Sequence, residues 1–250
     1  MRKLSGKNAL ITGGNSGIGL ATAKLFREHG AHIMITGRNS ESLEQSGLEL
    51  GGDTVTLQSD AGSLGDIERL MQQVEERFGV LDILFVNAAS GNPAPFALTT
   101  EEQFDEIAAV CFKGVFFTVQ KALPFLAYGA SVIITTSITN SAGAPNFSVY
   151  AACKAAQRSL VQTIGLELIE RGVRVNAISP GPVNTPGFGR WDVPKEIIQA
   201  ARTELTRKSP VKRFGEPEEI AAVALFLASN ESSYLVGAEI VADGGISLVL

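Results

Sequence analysis

Tyr150 and Lys154 are the residues whose types and spacing best suit proton transfer. Residues four apart on a helix lie on one face, about one turn from each other. A free tyrosine has a pKa of about 10, which makes it a poor acid or base at neutral pH. A nearby ammonium favours the phenolate and should lower that pKa, so the pair predicts a tyrosine suited to proton transfer. Most such pairs taken alone are only solvated helix faces.

A serine is expected beside this pair. Ser137 ends a predicted strand over residues 131–137, and Tyr150 lies near the start of the next predicted helix. Ligands of open parallel sheets bind at the carboxyl ends of the strands, where a serine hydroxyl can donate a hydrogen bond to an oxyanion. A serine that closes a strand is otherwise an ordinary turn residue.

A glycine-rich turn, TGGNSGIG over residues 12–19, joins the first predicted strand to the first predicted helix. Bare backbone at Gly13, Gly17 and Gly19 lets a pyrophosphate approach N–H groups at the positive end of the helix. The spacing differs from the commonest dinucleotide fingerprint, G-x-G-x-x-G. Such a turn alone is a tight connection about as often as a nucleotide site, but its position after the first strand favours the nucleotide.

These residues need a scaffold, which the hydrophobic pattern supplies. Short apolar runs alternate with segments of helical period, as in βαβ units. The predicted strands are residues 8–12, 32–36, 54–58, 81–87, 131–137, 173–179 and 239–242. The predicted helices are residues 17–29, 40–50, 64–78, 101–126, 148–170 and 218–228, with a helical stretch over 194–207. We expect an α/β fold, a doubly wound Rossmann-type three-layer sandwich of about seven parallel strands, forming a single domain over 1–250 with a substrate flap at about 186–213.

Composition narrows the class of protein. A net charge of −5 offers no basic field for nucleic acid. The longest nearly pure apolar run, residues 220–228, is too short to cross a membrane, and the first residues show no secretion signal. We therefore expect a cytoplasmic protein in which Cys111 and Cys153 are buried and reduced. His29 and His32 have no carboxylate or thiol spaced to complete a metal site, so no metal is expected.

Together the motifs resemble the classical short-chain dehydrogenase/reductase family. The similarity rests on the glycine-rich turn, Asn87 after the fourth strand, Ser137 with Tyr150 and Lys154, PGPVNT over residues 180–185 and VADGG over residues 241–245. It extends from about residue 6 to residue 245. The resemblance implies a seven-stranded Rossmann-type fold, a nicotinamide cofactor, a small-molecule carbonyl or alcohol substrate, and commonly a homotetramer, with a homodimer as the smaller alternative. The Tyr/Lys helix and the helix before it would lie at an interface.

The resemblance also assigns roles. It implies that Tyr150 donates or accepts the proton, that Ser137 holds the substrate oxygen, and that Lys154 anchors the ribose and lowers the pKa of the tyrosine. Asp60 would contact the adenine, and Thr185 with Val183 the nicotinamide carboxamide. The expected cofactor-binding residues are Gly13, Asn15, Ser16, Gly17, Ile18, Gly19, Gly37, Arg38, Asn39, Asp60, Ala61, Asn87, Tyr150, Lys154, Pro180, Gly181, Val183 and Thr185.

The end of the second strand predicts NADP(H) as the cofactor. NAD-dependent relatives have a carboxylate there for the ribose 2′-hydroxyl, whereas this chain has Gly37 followed by Arg38. A guanidinium suits a 2′-phosphate, and Asn15, Ser16 or Asn39 can add hydrogen bonds. The alternative is that Arg38 is an ordinary solvated turn residue.

The chain departs from the family pattern at two places. The usual Asn-Asn-Ala-Gly after the fourth strand reads Val86-Asn87-Ala88-Ala89, and Cys111 replaces an asparagine that helps to hold a water behind the lysine. Cysteine is a poorer hydrogen-bonding group than an amide. Either proton resupply to Tyr150 is altered, or backbone groups place the water and the thiol merely packs.

The sequence therefore predicts an NADP(H)-dependent oxidoreductase that interconverts a carbonyl and an alcohol. The expected substrate pocket is mostly apolar and comprises Thr139, Ala144, Phe147, Pro182, Phe188, Arg190 and Trp191. A non-catalytic cofactor sensor or scaffold of the same fold is the alternative, given some weight by Val86, Ala89 and Cys111. A methyltransferase would leave the Ser/Tyr/Lys set unexplained.

Overall fold

Seven apolar segments form the strands of one parallel sheet within residues 2–189, 191 and 193–250, the part of the chain that the computed structural model describes. The strands are β1 (Asn8–Thr12), β2 (His32–Gly37), β3 (Val55–Gln58), β4 (Leu81–Val86), β5 (Leu126–Thr135), β6 (Arg174–Pro180) and β7 (Glu239–Ala242). Their order is β3-β2-β1-β4-β5-β6-β7. The predicted doubly wound fold is thereby confirmed.

The strand order reverses direction between β1 and β4. The chain builds outward from β1 through β2 to β3, then returns to place β4 on the other side of β1. Loops that leave the carboxyl ends of β1 and β4 therefore separate to opposite faces and open a crevice between them. This crevice is where the predicted glycine-rich turn and Asn87 meet.

Eight α-helices cover the sheet in the described residues. They are α1 (Gly17–Glu28), α2 (Ser40–Leu50), α3 (Leu64–Arg77), α4 (Glu101–Ala108), α5 (Gly114–Ala122), α6 (Ser148–Leu168), α7 (Lys195–Lys208) and α8 (Pro217–Ala228). Polar caps mark several of the starts: Asn39 and Ser63 accept hydrogen bonds from backbone N–H groups of α2 and α3, and Thr100 forms a capping box with Gln103 at α4.

Alternate residues of each strand feed two separate apolar layers. Leu10 and Leu84 pack on the face that α3, α5 and α6 cover, whereas Ile11 and Phe85 pack on the face that α1 and α8 cover. Side chains of a strand point alternately to its two faces, and strands covered on both sides are apolar throughout. Burial on both faces fixes the strands, and with them the loops at their carboxyl ends.

The predicted helix over 101–126 is divided in the structure. A π-helical turn, Ala109–Lys113, separates α4 from α5. At the start of α5 the backbone of Gly114 lies against the carbonyl of Ala61, where a Cβ would come within 1.9 Å of that oxygen. The glycine is therefore required for this approach. Such π turns occur frequently at functional sites.

By length and composition, the helical stretch Glu101–Phe125 could cross a membrane, and it is the one stretch of the described residues that qualifies. The prediction from the sequence considered the apolar run at residues 220–228 and did not identify this helical stretch. In the fold, 44% of its most apolar window is buried, and α5 packs against α3 and β4. A buried core helix has the same features.

The fifth strand begins and ends earlier than predicted. It covers Leu126–Thr135, so Ser137 lies two residues beyond the strand instead of closing it. The N–H of Thr136 still bonds to the carbonyl of Ile178, and Ser137 then starts a 3₁₀ turn over Ile138–Asn140. Ser137 is thus a turn residue at the predicted edge of the sheet.

The segment predicted as a flap packs loosely on the rest. A 3₁₀ turn, Pro186–Gly189, precedes α7, and none of the side chains of α7 is buried. Met1, Arg190 and Asp192 lie outside the described residues. That the chain is one domain with a substrate flap stays a prediction.

Candidate active site

The glycine-rich turn folds as a phosphate-binding turn would. Gly13 and Gly17 have positive φ angles of 64° and 52°, which favour glycine. A Cβ on Gly19 would lie 2.1 Å from the carbonyl oxygen of Gly13. Helix α1 begins at Gly17, and the side chain of Ser16 makes no capping bond. Backbone N–H groups at the first turn, around Ile18, therefore remain for an anion, and the turn fits a pyrophosphate.

Asn87 ties the turn to the strands beside it. Its N–H bonds to the Thr12 hydroxyl at 3.0 Å, and its Nδ2 donates to the carbonyls of Thr12 and Gly13, each at 3.3 Å. Its Oδ1 accepts from Thr135 Oγ1 at 3.3 Å. The predicted cofactor residue thus also holds the shape of the crevice floor.

At the end of β2, the cationic Arg38 follows Gly37, so the residue before the cation carries no carboxylate. Gly37 lies so close to Asn15 that a Cβ would come within 2.5 Å of the amide of Asn15. Asn15 donates to Ser42 Oγ at 2.7 Å, and Asn39 caps α2. Arg38 is half-exposed at the crevice rim, with Nη1 3.8 Å from Oε1 of Glu106. Its guanidinium is available to a phosphate.

The other predicted cofactor residues surround the same crevice. After β3, Asp60 accepts a bond from the N–H of Gly62, and the carbonyl of Ala61 abuts α5. Pro180 ends β6, and the N–H of Gly181 bonds to Ala242. The two remaining cofactor positions are Val183 and Thr185.

Thr185 and Val183 differ in what they offer to a ligand. The side chain of Thr185 lies against the turn, 3.0 Å from where a Cβ of Gly17 would be. Val183 instead buries its side chain in the core and pairs with Gly215, so only its backbone is free to face the crevice. The structure therefore brings Thr185 to the glycine-rich turn; its contact with the nicotinamide carboxamide stays a prediction.

Ser137, Tyr150 and Lys154 converge at one end of the crevice. Tyr150 lies in the first turn of α6, and the Lys154 ammonium lies over its ring, 5.4 Å from the centroid. Ser137 Oγ accepts hydrogen bonds from the backbone N–H and the hydroxyl of Thr139, at 3.3 and 3.1 Å. In the protein without a ligand, the Ser137 hydroxyl also hydrogen-bonds to Tyr150, so Ser137 can donate to a ligand oxygen that lies beside the tyrosine.

Lys154 is a buried cation. Its side chain is 1% exposed, and Nζ donates to the carbonyl of Thr135 at 2.6 Å and to Gln157 Oε1 at 3.2 Å. Among the described residues, no carboxylate forms an ion pair with it. The ammonium therefore faces only neutral acceptors and the tyrosine ring.

The pKa of Tyr150 shifts opposite to the sequence-based expectation. Burial raises this pKa above its usual range, the neighbouring Cys111 adds to the rise, and the hydroxyl of Ser137 partly opposes it. Burial likewise lowers the pKa of Lys154, with Cys111 and Cys153 opposing. Desolvation is the largest cause of both shifts, because burial disfavours the charged form of each group. The prediction that Lys154 brings the pKa of the tyrosine below its normal value was wrong for the protein without cofactor.

The predicted substrate pocket contains a row of aromatic rings. Phe147 makes an edge contact with Tyr150 at 6.1 Å between centroids and lies 5.4 Å from Trp191. Phe188 continues the row, 4.3 Å from Trp191 and 5.1 Å from Phe214. Thr139 and Ala144 lie in the turn between Ser137 and Phe147, and Pro182 precedes Val183; the predicted Arg190 lies outside the described residues.

Comparison with known proteins identifies the family. The family model described as enoyl-(acyl carrier protein) reductase, adh_short_C2, matches residues 13–247. The chain belongs to the classical short-chain dehydrogenase/reductase family. It is 39% identical, over 100% of its length and 99% of the relative's, to the oxidoreductase asL5 of Sarocladium schorii. It is 35% identical to the NADP-dependent (R)-specific alcohol dehydrogenase of Lentilactobacillus kefiri, over 97% of each chain.

A solved structure of a similar protein supports the same family. A short-chain dehydrogenase/reductase from Brucella melitensis, titled glucose/ribitol dehydrogenase, superposes with a TM-score of 0.91 at 32% identity, over 98% of this chain and 99% of that one. Membership of the short-chain dehydrogenase/reductase family makes this chain an oxidoreductase.

Three residues of this short-chain dehydrogenase/reductase were missed by sequence reasoning. Gly91 lies against the Tyr150 ring, Phe214 ends the aromatic row, and Gln157 is fully buried beside Lys154. Gln157 lies three residues after Lys154, a spacing that places both on one helix face and was available from the sequence. Nothing in the sequence pattern marks Gly91 or Phe214.

The two cysteines are free and buried, as expected. Cys111 lies in the π-helical turn, where Sγ donates to the carbonyl of Ser90 at 3.0 Å and accepts from the N–H of Ser90 at 3.4 Å. No cluster of metal ligands occurs in the described ranges. The thiol thus holds the loop after β4 against the helix.

Proposed function

We propose that this chain is an NADP(H)-dependent oxidoreductase that interconverts a carbonyl and an alcohol, with Tyr150 as proton donor or acceptor. The observation that carries the proposal is the buried, carboxylate-free ammonium of Lys154 over the ring of Tyr150. Burying a lysine without a counter-charge is unfavourable, and burial lowers the pKa of Lys154 accordingly. A cofactor sensor has no use for this arrangement.

The residues of the chain divide the work as follows. The nicotinamide, when bound, supplies or accepts hydride. Ser137 accepts hydrogen bonds from Thr139, and its own hydrogen turns from Tyr150 to the substrate oxygen. Tyr150 holds a proton at neutral pH, as a phenol does, and burial raises its pKa further, so it starts as an acid. It gives this proton to the oxygen in carbonyl reduction, and Lys154 stabilises the phenolate left behind.

Support for NADP(H) comes from the carboxyl end of β2. Gly37 places no carboxylate at the ribose, and the guanidinium of Arg38 is half-exposed at the rim, where a 2′-phosphate can form paired hydrogen bonds. One similar relative carries NADP-dependent in its name. The turn around Gly13, Gly17 and Gly19 fits the pyrophosphate of either cofactor.

We also propose that the protein assembles as a homotetramer or a homodimer. Aromatic side chains are exposed along the predicted interface helices: Phe104 on α4, Phe112 on the π turn and Phe116 on α5 are 53%, 39% and 38% exposed. Leu166 on α6 is 75% exposed. Apolar surface on adjacent helices is typical of subunit interfaces. Sedimentation of the purified protein measures the assembly directly.

Oxidation of NADPH and NADH over a panel of ketones, aldehydes and quinones tests the function. We expect turnover with NADPH, and its loss in Tyr150→Phe but not in Tyr128→Phe, which alters an exposed tyrosine. Binding without turnover across the panel would support the sensor. For the cofactor, we expect Arg38→Leu to abolish the preference for NADPH and Arg77→Leu, on the exposed end of α3, to preserve it.

A further inference from the structure

A buried polar cluster lies next to Tyr150, where α6 meets the π turn. Gln157 is 0% exposed, and its neighbours Lys154 and Cys111 are 1% and 0% exposed. Glutamine is seldom fully buried, because a carboxamide without hydrogen-bond partners destabilises the interior of a protein. The group must therefore be satisfied by specific bonds.

The carboxamide of Gln157 uses both of its ends. Oε1 accepts a hydrogen bond from Lys154 Nζ at 3.2 Å, and Nε2 donates to the carbonyl oxygen of Cys111. The side chain thus links the ammonium to the main chain of the π turn. The oxygen and the nitrogen of the amide cannot exchange places, because only oxygen accepts from an ammonium and only nitrogen donates to a carbonyl.

Packing alone does not explain the residue. The same face of α6 carries Val161 and Leu168, which are buried in the apolar layer, so an unbranched apolar side chain would suit the position. What Gln157 adds is one of the two acceptors that the structure gives to the ammonium, the other being the carbonyl of Thr135. Because two N–H bonds of the Lys154 ammonium are directed at these acceptors, the direction of its third N–H bond is also fixed.

We propose that Gln157 is a positioning residue for proton transfer: its carboxamide, anchored on the Cys111 carbonyl, holds the Lys154 ammonium in its charged form beneath Tyr150. The inference rests on the proposed function for its catalytic meaning. The titratable groups that face the ammonium are Tyr150 and Cys153 on α6 and Cys111 on the π turn. None of these groups is a carboxylate, so the ammonium of Lys154 has to be held by a neutral acceptor, the carboxamide of Gln157.

The amide of Gln157 also prevents proton relay through this position. Water or a hydroxyl can take up one proton and release another, whereas a carboxamide offers one accepting and one donating end. When Tyr150 gives its proton to a substrate oxygen, the O–H bond of the phenol breaks and the phenolate keeps the electron pair. Gln157 supplies no replacement proton to the phenolate, and its role is to hold the ammonium that stabilises the phenolate.

The charge of Lys154 can be measured without cofactor or substrate. Protein labelled with ¹³C at the lysine Cε positions gives one signal per lysine, and the Lys154 signal is the one missing in Lys154→Arg. We expect Gln157→Leu to lower the pH at which this signal titrates by about one unit, a tenfold change, because the ammonium loses an acceptor. Gln157→Met, which keeps an unbranched side chain, should give the same shift if the leucine variant folds poorly.

Gln162→Leu is the matched control, since Gln162 is exposed on the same helix. It should leave the Lys154 titration unchanged. In the pH profile of carbonyl reduction, the alkaline fall should move to lower pH in Gln157→Leu by the amount seen in the lysine titration. A Lys154 signal that titrates as in the parent protein in both Gln157 variants would overturn the proposal. If the parent protein reduces no carbonyl, the proposed function fails, yet the titration still decides whether Gln157 holds the ammonium.

Discussion

The backbone of Gly91 lies against the ring of Tyr150 so closely that a Cβ at this position would be 3.0 Å from Cδ2. The glycine follows β4, whereas the tyrosine belongs to α6, so the loop after β4 meets the start of α6 at the reacting group. Contacts of this length are shorter than ordinary van der Waals separation and force one partner to move.

Gly91→Ala should therefore displace the Tyr150 ring and reduce kcat by about tenfold, because misplacement of a reacting group by about 1 Å can cost up to about a hundredfold. NADPH binding should be unchanged. Gly143→Ala is the control, since Gly143 has open space around its Cβ position and belongs to the turn after Ser137. Equal kcat values in the two variants would mean that the ring is free to shift.

The rate of carbonyl reduction should be flat through neutral pH and fall at alkaline pH. Burial raises the pKa of Tyr150, so the phenol keeps its proton over the neutral range, and burial lowers the pKa of Lys154 below 10.5. As pH rises, the lysine loses its charge first and the phenolate loses its stabilisation. A pH–rate profile from about pH 6 to 10 measures this. An acidic limb near pH 6 would contradict the assignment.

Glu106→Gln should tighten the binding of NADPH. Glu106 shares Oε1 between Arg38, at 3.8 Å, and the hydroxyl of Ser90, at 3.0 Å, so it competes for the cation assigned to the 2′-phosphate. An exposed pair contributes at most about 1 kcal/mol, so the dissociation constant should fall up to about fivefold. Fluorescence titration with NADPH and NADH measures it. Asp105→Asn, on the exposed face of the same helix, should change neither constant.

Arg174→Leu should destabilise the fold by about 2 to 4 kcal/mol, because it removes the four hydrogen bonds of a buried guanidinium. Arg174 is 8% exposed and donates to the carbonyls of Leu227, Ser229 and Ser232. The guanidinium therefore joins β6 to the end of α8. Urea unfolding measures the change, and Arg174→Lys should fall between the parent and the leucine variant because an ammonium reaches fewer of these oxygens.

Cys111→Asn should leave the pH profile of the reduction unchanged. The carbonyl of Cys111 is already occupied by Gln157, and its thiol bonds to Ser90, so a new amide has no vacant partner behind Lys154. Steady-state rates across the alkaline range measure this. A shifted profile in this variant would restore the idea that the missing asparagine impairs proton resupply.

Much of the scaffold followed from the sequence because strands buried on both faces and capped helices leave local signals. The bounds of β1, α2 and β7 were predicted to the residue. The division of the long helix at the π turn was not foreseen, since Gly114 needs the Ala61 carbonyl nearby, and that contact joins distant parts of the chain. The same holds for Phe214, which reaches the aromatic row from beyond α7.

The candidate site, like the scaffold, was predicted from the sequence only in part. Spacing on one helix placed Tyr150 and Lys154 together, and both lie where predicted. The sign of the tyrosine pKa shift was missed because charge is visible in a sequence, whereas desolvation depends on the side chains that surround the group after folding. The partners of Gln157 were equally hidden until α6 met the π turn.

The row of rings from Phe147 to Phe214 has an evolutionary consequence. Of the four rings in this row, only Phe147 contacts Tyr150, whereas Trp191 and Phe188 contact each other and their neighbours. Mutations at the outer rings therefore reshape the cavity while leaving the inner pair of tyrosine and lysine unaltered. Descendants of this gene can diverge in what they accept while the type of reaction stays constant.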